Sequence, residues 1–561
     1  MLRRPISAFA APGGFALAGL AAAAIAVAPI LALAAIAARG SGDLWRHLFT
    51  TVVPAATVET TLLATGVAIF VIVVGTASAW LVTAYDFPGR RLLEVALLLP
   101  LAFPAYVLAY SWLDLLHPIG PVQSTLRALL GYARPADFRL PDPRSLPGAV
   151  VIFGLALYPY VYVAVRTVFL SQMTRLTEAA RMLGADGRAV FFRVALPLAR
   201  PAIAAGAALA IMETLNDVGA AEFLSINTLT AAVYSTWVNR SDLAGAAQIA
   251  LAMLAFILTL LLVERLARGN RGYAVIGRAS RPMTPRRIGG AAGIALFLVG
   301  FLPAFLGFVA PALHLARQAA NRLAFAGVPT EILAEVGNTL LVAGLATGIA
   351  VGTALVVVAG RRLHAGSRFH EATLRVSSLG YAVPGTVLAI GLLAFLGGLD
   401  GLVREAAVGL GFSPTGLVFS ASIGAVVLAY VVRFFRLAAS KIETGLERIS
   451  PSLDQSARTL GRTPFGVLRE VLLPLTTPAL AGAALLVFVD CMKELPATLL
   501  LRPLNFETLA THLYGEAARG TYENGGLAAL LIVAFGLLPI VVLTGLGRRA
   551  PTGGQPQGEP A

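Results

Sequence analysis

Five charged side chains lie at the ends of two apolar stretches, where charge is costly. Glu213 and Asp217 close the stretch AIAAGAALAIMETLND, and Asp490, Lys493 and Glu494 close LAGAALLVFVDCMKE. In each stretch the two acids are four residues apart, so a helix would place them on one face. A carboxylate within a membrane is expensive unless it is paired or faces water, and such residues often mark the path of an ion or substrate.

Two interpretations of these acids stay open at the level of sequence. In the first, Glu213, Asp217, Asp490 and Glu494 are candidates for the lining of a translocation pathway. In the second, Lys493 pairs with Asp490 or Glu494, and the charges only hold the fold together.

Motifs for enzymatic or ATP-dependent chemistry are absent from the sequence. A phosphate-binding loop needs Lys followed by Ser or Thr, but Lys441 is followed by Ile442 and Lys493 by Glu494. The six histidines form no His-Glu-x-x-His pair and no other tight metal spacing. The sequence therefore predicts that the chain is not an enzyme, has no firm metal site and binds no cofactor itself.

The composition indicates an integral membrane protein. Of the 561 residues, 57% are hydrophobic and only 13% are charged, against about 25% charged in soluble domains. The mean hydropathy is +0.80. The formal net charge of +14 would suggest nucleic acid in a soluble chain. Here the basic residues cluster in short loops, which favours membrane lipid as the partner and no nucleic acid.

Twelve apolar blocks are each long enough to cross a hydrocarbon core, which needs about 20 helical residues. The sequence thus predicts an all-α membrane protein with about 12 transmembrane helices. The blocks lie near 15–38, 57–83, 94–116, 147–170, 199–222, 246–264, 288–313, 337–360, 374–398, 417–438, 477–500 and 526–546.

The chain is a tandem repeat of a six-helix unit. Gly75-Thr76-Ala77 recurs as Gly352-Thr353-Ala354, 277 residues on, and Tyr234 recurs as Tyr514, 280 residues on. Because each unit has an even number of spans, the halves share one orientation and are related by a pseudo-two-fold axis along the membrane normal. The predicted divisions are a first domain 1–270, a basic linker 271–287, a second domain 288–548 and a disordered tail 549–561.

One polar segment occurs in each half, between the fourth and fifth span of the unit. The copies read EAARMLGADGRAVFFRVALP, which ends at Pro197, and QSARTLGRTPFGVLREVLLP, which ends at Pro474. Helix formers on both sides of Gly184 and Gly461 predict helix–Gly–helix hairpins at the membrane surface over 175–198 and 452–475. The proline is expected to end the second helix of each hairpin.

Charge counting orients the chain. With the N-terminus inside, 29 of the 43 Lys and Arg residues fall on the inner side and 12 on the outer side. This bias predicts that both hairpins and both termini are cytoplasmic.

The hairpin pattern resembles the cytoplasmic loop of permeases of binding-protein-dependent ABC importers. The first copy matches the family pattern at Glu178, Ala179, Ala180, Gly184, Leu196 and Pro197, and the second at Ala457, Gly461, Leu473 and Pro474. The second copy has Gln455 in place of Glu, and the preceding Asp454 is a candidate for the missing charge. The resemblance implies that these residues couple the chain to an ATPase.

The resemblance also implies partners and a location. The chain would lie in the bacterial inner membrane with two copies of an ATP-binding cassette subunit, which bind the ATP and Mg, and would receive cargo from a periplasmic substrate-binding protein. The stretches METLNDVGAAEFL and MKELPATLLLRPLNFETLATHLY are similar to fused, double-length permeases of ferric-iron importers. A ferric-iron-binding partner and ferric-iron cargo are therefore expected.

Other transport functions remain open. Within the importer class, the cargo alternatives are thiamine, polyamine, phosphonate or another small solute. A twelve-helix secondary transporter is the more remote alternative, because VTAYDFPGRR partly matches that family's loop Gly-x3-Asp-Arg-x-Gly-Arg-Arg. However, Val82 and Phe87 stand where Gly and Arg belong.

Overall fold

The computed structural model describes residues 13–40, 42, 44–172, 179–180, 182–268, 285–412 and 416–549. Glu178, the linker up to residue 284 and the tail from residue 550 lie outside this part of the chain. The predictions made for them are not addressed by the structure.

Within the described residues, eleven helices are long and apolar enough to cross a membrane, and one bent helix pair makes a twelfth. This confirms the prediction of an all-α membrane protein with about 12 spans. Spans 1 to 6 are Gly14–Ala37, Leu44–Ala84, the bent pair Arg90–Ala102 and Ala105–Leu115, Leu146–Gln172, Gly187–Asn216 and Leu243–Arg268. Spans 7 to 12 are Gly290–Ala326, Thr330–Leu363, Gly385–Gly409, Ile423–Glu447, Pro464–Met492 and Tyr522–Arg549.

Shorter helices connect the spans. They are Pro121–Leu130, Val218–Phe223, Leu229–Val238, Arg368–Ser377, Pro451–Thr459, Pro496–Leu501 and Leu509–Arg519. Spans 2, 5, 7 and 11 each contain one π-helical turn, at Leu48–Val52, Phe191–Ala195, Phe305–Val309 and Leu468–Leu472. Two 3-10 turns are Leu99–Ala102 and Ser378–Ala382. Strands Tyr85–Asp86 and Arg286–Arg287 pair in parallel, which fastens the end of the linker to the loop after span 2.

Proline breaks a helix near the middle of each half. Span 3 bends by 96° between Ala102 and Ala105, where Pro104 precedes the first residue of the second piece. Its repeat counterpart Pro384 stands in the same way before span 9, after the 3-10 turn. Because proline fixes φ and lacks an N–H, each site ends one helical segment and starts another. Two helix N-termini are thereby placed inside the bundle.

The two hydrophobic cores do not follow the repeat boundary. Spans 1 and 6 pack in one core with spans 8 to 11, and spans 7 and 12 pack in the other with spans 2 to 5. Glycines allow these crossings: a Cβ on Gly391 of span 9 would lie 2.5 Å from the carbonyl oxygen of Pro29 in span 1. Each repeat therefore contributes its first and last span to the other's core, and the bounds 1–270 and 288–548 stay a prediction.

The face that carries Gly184 and Gly461 is called here the hairpin face, and the opposite face the far face. Two far-face helices, Leu229–Val238 and Leu509–Arg519, follow spans 5 and 11. Each is fastened at its first residue, where Leu229 N–H donates to Thr60 Oγ1 (2.9 Å) and Leu509 N–H donates to Thr339 Oγ1 (3.0 Å).

The second far-face helix has an additional ion pair. His512 Nδ1 lies 2.8 Å from Glu335 Oε1 of span 8, whereas the repeat counterpart of His512 in the first half is Ala232. The pKa of His512 is raised, chiefly because the ring hydrogen-bonds Glu335; burial acts in the opposite direction, and Glu516 and Glu507 add to the rise. Among the described residues, the second far-face helix thus has a pH-dependent ion pair that the first one lacks.

We predict that this ion pair stabilises the protein more at low pH. Because the folded-state pKa of His512 is raised, its contribution is complete below the ordinary histidine pKa of about 6.5 and disappears as pH rises through the folded-state pKa. The thermal midpoint of the wild type in detergent should exceed that of His512→Ala at pH 6, and the difference should shrink towards pH 9. A difference that does not change with pH would contradict the assignment.

Candidate functional site

All four acids identified in the sequence line one cavity between the two halves, with a volume of about 110 Å³. The ends of spans 5 and 11 and the residues directly after them contribute the acids and Lys493, and the prolines of the two broken helices also line the cavity. The lining includes Pro104, Tyr160, Glu213, Asn216, Asp217, Tyr381, Pro384, Arg433, Asp490, Lys493 and Glu494. The fold thus brings the acids of both repeats together, whereas their role as a translocation pathway stays a prediction.

Asp217 caps a broken helix. Its Oδ1 accepts from Ala220 N–H (2.8 Å), at the start of Val218–Phe223. Its Oδ2 accepts from Tyr106 N–H (3.1 Å), at the start of the second piece of span 3. Both donors are helix N-terminal amides that have no partner within their own helix. Asp217 therefore joins two breaks in the bundle.

Glu494 occupies the counterpart position and accepts from the corresponding amide, Ala497 N–H (3.1 Å). The same Oε1 also accepts from Arg433 Nη1 of span 10 at 2.9 Å, and the Arg433 and Glu494 side chains are only 9% and 4% exposed. Glu494 therefore pairs with Arg433, and not with Lys493 as one interpretation of the sequence proposed.

Arg433 is the charged site residue that sequence reasoning missed, and Asn216, Tyr160 and Tyr381 of the lining were not predicted either. Orientation counting places it among the inner-loop charges, but span 10 runs through Ile423–Glu447 and buries it. A signal for it exists in the sequence, since it interrupts the apolar run AVVLAYVVRFF. Without Arg433, the inner side still has more Lys and Arg residues than the outer side, so the predicted orientation does not change.

A comparison of the repeats supports the Arg433–Glu494 pair. The counterpart of Arg433 in the first half is Ala156, and the counterpart of Gly385 is Ala105. A Cβ on Gly385 would collide with Arg433 Nη1 and come within 2.8 Å of Glu494 Oε1. The half that has the arginine therefore has glycine where the other half tolerates a methyl group.

The two remaining acids differ in their pairing. Asp490 Oδ1 lies 2.8 Å from Lys493 Nζ. For Glu213, the described residues provide neither a hydrogen bond nor an ion pair. Both cations of the cavity, Arg433 and Lys493, come from the second half, so the four carboxylates leave a formal excess of two negative charges.

The cavity does not contain a preformed metal centre. Among the described residues, no three His, Cys, Asp or Glu side chains are arranged to hold a metal ion. Tyr160 and Tyr381 line the cavity with the four acids, and phenol and carboxylate oxygens are donors that suit hard cations.

The two hairpins have matching turns. Gly184 and Gly461 both have φ of +82°, a left-handed conformation that favours glycine, and both turns are exposed. In the second hairpin, Pro451–Thr459 is followed by the turn and then by Pro464–Val467. In the first, Ala179 and Ala180 are helical before the turn and Gly187–Val190 follows it.

The expectation that Pro197 and Pro474 end a helix is wrong. Each lies in the first turn of a span segment, Leu196–Asn216 or Leu473–Met492, that continues directly from a π-helical turn. A π-helical turn is wider than an α-helical one and accommodates the proline ring without ending the helix. Each span therefore continues unbroken from its hairpin to the cavity.

Asp454 faces the interior of the protein. Its Oδ2 lies 2.6 Å from Arg362 Nε at the end of span 8, and its side chain is 10% exposed. Arg362 Nη2 also donates to Ile449 O (3.0 Å). Asp454 thus holds the second hairpin to the bundle and is not a free surface charge for a partner. Gln455 beside it is exposed, and Ala457 is buried.

Both repeats match one protein family. Residues 71–271 and 344–549 each match the binding-protein-dependent transport system inner membrane component family. The chain belongs to this family. The match confirms the resemblance drawn from the hairpins. It does not support the more remote alternative, a twelve-helix secondary transporter.

Similar proteins include permeases of different cargo. The Fe(3+)-transport system permease protein FbpB 2 of Haemophilus influenzae is 26% identical over 495 residues, 86% of this chain and 88% of that protein. The molybdenum transport system permease protein ModB of Escherichia coli is 32% identical over 203 residues, 35% of this chain and 85% of that protein. The sulfate transport system permease protein CysT of Salmonella typhimurium is 31% identical over 228 residues, 40% of this chain and 79% of that protein. This permease is thus of the fused, double-length type, similar to an iron-transport permease over most of its length.

We predict that Arg433→Ala lowers the stability by about 3–5 kcal/mol, because it leaves Glu494 buried without its ion pair. Adding Glu494→Gln should recover part of the loss. Thermal unfolding of the purified chain in detergent measures both effects. The matched control is Arg436→Ala, on the same helix but 45% exposed. Equal losses for the two arginine variants would refute a special role for Arg433.

Proposed function

We propose that this permease forms the transmembrane pathway of an ATP-driven importer that carries ferric iron. The observation that carries the proposal is the acid-rich cavity between the halves of a binding-protein-dependent permease. The charge bias supports hairpins and termini on the cytoplasmic side of a bacterial inner membrane. Two copies of an ATP-binding cassette subunit would bind the hairpins, with ATP and Mg on those subunits, and a periplasmic ferric-iron-binding protein would deliver the cargo.

The charge of the cavity supports a cation. Arg433 lies 2.9 Å from Glu494, and Lys493 lies 2.8 Å from Asp490. Neither cation is therefore free to bind an anion. Glu213 and the phenol oxygens remain as donors for a hard ion such as Fe³⁺. The name of the iron-transport relative agrees with this assignment.

An oxyanion is the second candidate cargo. Two relatives are named for molybdenum and sulfate transport, and two cationic side chains do line this cavity. Anion binding would require Arg433 or Lys493 to leave its carboxylate, which would leave a buried acid unpaired. The cation is therefore the better supported cargo.

The hairpins would control the cavity through two continuous levers. Gly187–Asn216 and Pro464–Met492 are unbroken helical spans of 30 and 29 residues, each about 45 Å long at 1.5 Å per residue. One end of each lever carries a hairpin, and the other end carries the cavity acids. When ATP-driven closure of the partner subunits moves the hairpins, the acids at the far ends of the levers move with them. The equilibrium shifts only as far as the partners bind the two states differently.

The coupling role can be tested at the two turns. Valine at a φ of +82° is strained by about 1–2 kcal/mol or more, so the Gly184→Val/Gly461→Val variant should distort both turns and uncouple the permease. Cargo uptake and co-purification with the ATP-binding subunit should fall together. Gly482→Val is the matched control, because a Cβ there also meets nothing within 4 Å and Gly482 lies within span 11. Normal uptake by the double variant at wild-type expression would exclude coupling through the turns.

The pathway role can be tested at Glu213, the acid that is least engaged in the fold. Glu213→Gln should lower ferric-iron uptake by at least about tenfold, a change of about 1.4 kcal/mol. Expression and assembly with the ATPase should be preserved, because Glu213 neither caps a helix nor pairs with a cation among the described residues. Asp217→Asn with Glu494→Gln is the comparison, and it should also reduce the amount of folded protein. Full uptake in a well-expressed Glu213→Gln variant would remove this acid from the pathway.

A further inference from the structure

Towards the far face, the lining of the cavity ends at the breaks that follow spans 5 and 11. Its lining follows span 5 from Asp217 back through Glu213 and Met212 to Leu209, which is the direction of the hairpin. On the other side the lining ends at Asp217 and at Pro496, just after Glu494. The residues that follow these breaks in each half must therefore form the closure.

The breaks of the two halves pack directly against each other. A Cβ on Gly219 would lie 2.5 Å from Leu495 Cδ2 of the other half and 3.0 Å from Tyr106 Cβ. The Tyr106 hydroxyl donates to Lys493 O (3.5 Å), and Gly385 N–H donates to Asn216 Oδ1 (2.7 Å). These contacts form a polar layer that joins the halves at the level of the breaks.

An aromatic contact lies beyond this layer, on the two far-face helices. The rings of Tyr234 and Tyr514 are 6.1 Å apart between centroids, at 79° to each other. Phe223 stacks on Tyr514 at 5.5 Å and 21°. All three residues follow the cavity acids in the chain, on the way to the far face.

The position of the tyrosine contact follows from the repeat. Tyr234 and Tyr514 are repeat counterparts. Two equivalent residues related by a two-fold axis can contact each other only where they meet that axis. The pseudo-two-fold axis also runs between the halves, through the cavity. The tyrosine pair therefore lies on the line that a solute must follow from the far face to the cavity.

We propose that Tyr234 and Tyr514 form the gate that closes the cavity towards the far face. Their rings supply bulk on the axis, and separation of the two halves would draw them apart. Each far-face helix is fastened to span 2 or span 8 through Thr60 or Thr339, so the gate moves with these spans. The direction in which cargo passes rests on the proposed function, whereas the closure itself does not.

The gate can be tested by the accessibility of a cysteine in the cavity. The only cysteine, Cys491, is replaced by Ser, and Met212→Cys provides the reporter. A membrane-impermeant maleimide is applied to vesicles of each orientation, and Leu183→Cys, on the exposed first hairpin, identifies the hairpin face. From the far face, Tyr234→Ala/Tyr514→Ala should raise the labelling rate of the reporter at least about tenfold over the parent with intact tyrosines.

Control variants separate ring packing from other effects. Tyr234→Phe/Tyr514→Phe keeps both rings and should stay closed, and Tyr132→Ala, in an exposed loop, should not change the labelling. Unchanged labelling in the alanine pair with a wild-type elution profile would overturn the gate, as would equal opening by the phenylalanine pair. The labelling needs neither an ATPase subunit nor cargo, so its outcome is independent of the proposed function.

A second measurement covers the case in which the alanine pair does not fold. Tyr234→Cys with Tyr514→Cys, in the Cys491→Ser background, should be cross-linked by a short bifunctional maleimide. The cross-link joins two positions of one chain and is detected by mass spectrometry of the digested protein. Cross-linking supports the closed contact. If each cysteine reacts fully with a monofunctional maleimide but the pair does not cross-link, the proposed contact is overturned.

Discussion

The requirement to satisfy charge and broken backbone inside an apolar bundle organises the centre of this protein. Pro104 and Pro384 interrupt helices and expose amides, and the helices after spans 5 and 11 expose further amides at the same level. Asp217, Asn216 and Glu494 accept from these amides. Because an unpaired donor in hydrocarbon costs several kcal/mol, the acids stabilise the breaks and the breaks stabilise the acids. Removing either would leave the other without its partner.

The duplication provides two equivalent frameworks, but the charges have diverged between them. Asn216 corresponds to Lys493, and Ala156 corresponds to Arg433. The second half therefore neutralises its own acids, whereas the first half leaves Glu213 without an ion pair among the described residues. The two equivalent frameworks therefore enclose one asymmetric cavity with a formal excess of negative charge. Such asymmetry is available to a fused chain, because its two halves can change independently.

The exchange of spans makes the halves mechanically interdependent. Spans 1 and 6 pack with the second half's core and spans 7 and 12 with the first half's, so a shift of either core carries two spans of the other half with it. The cavity and the contact between the two far-face helices both lie between the halves. The interface between the halves thus connects the acids and the tyrosine contact.

The sequence alone determined the number of spans, the repeat, the hairpins and the family, because hydropathy over about 20 residues and fixed spacings are local properties of a chain. It also identified the four acids, since a charge in an apolar run is visible without a structure. Only the tertiary structure decided that Arg433 pairs with Glu494, that Asp454 turns inward to Arg362, and that each repeat gives two spans to the other. It also showed that the helices continue through Pro197 and Pro474. The physical reason is that a partner is chosen by the crossing of helices distant in sequence, whereas a linear pattern records only how apolar each helix is.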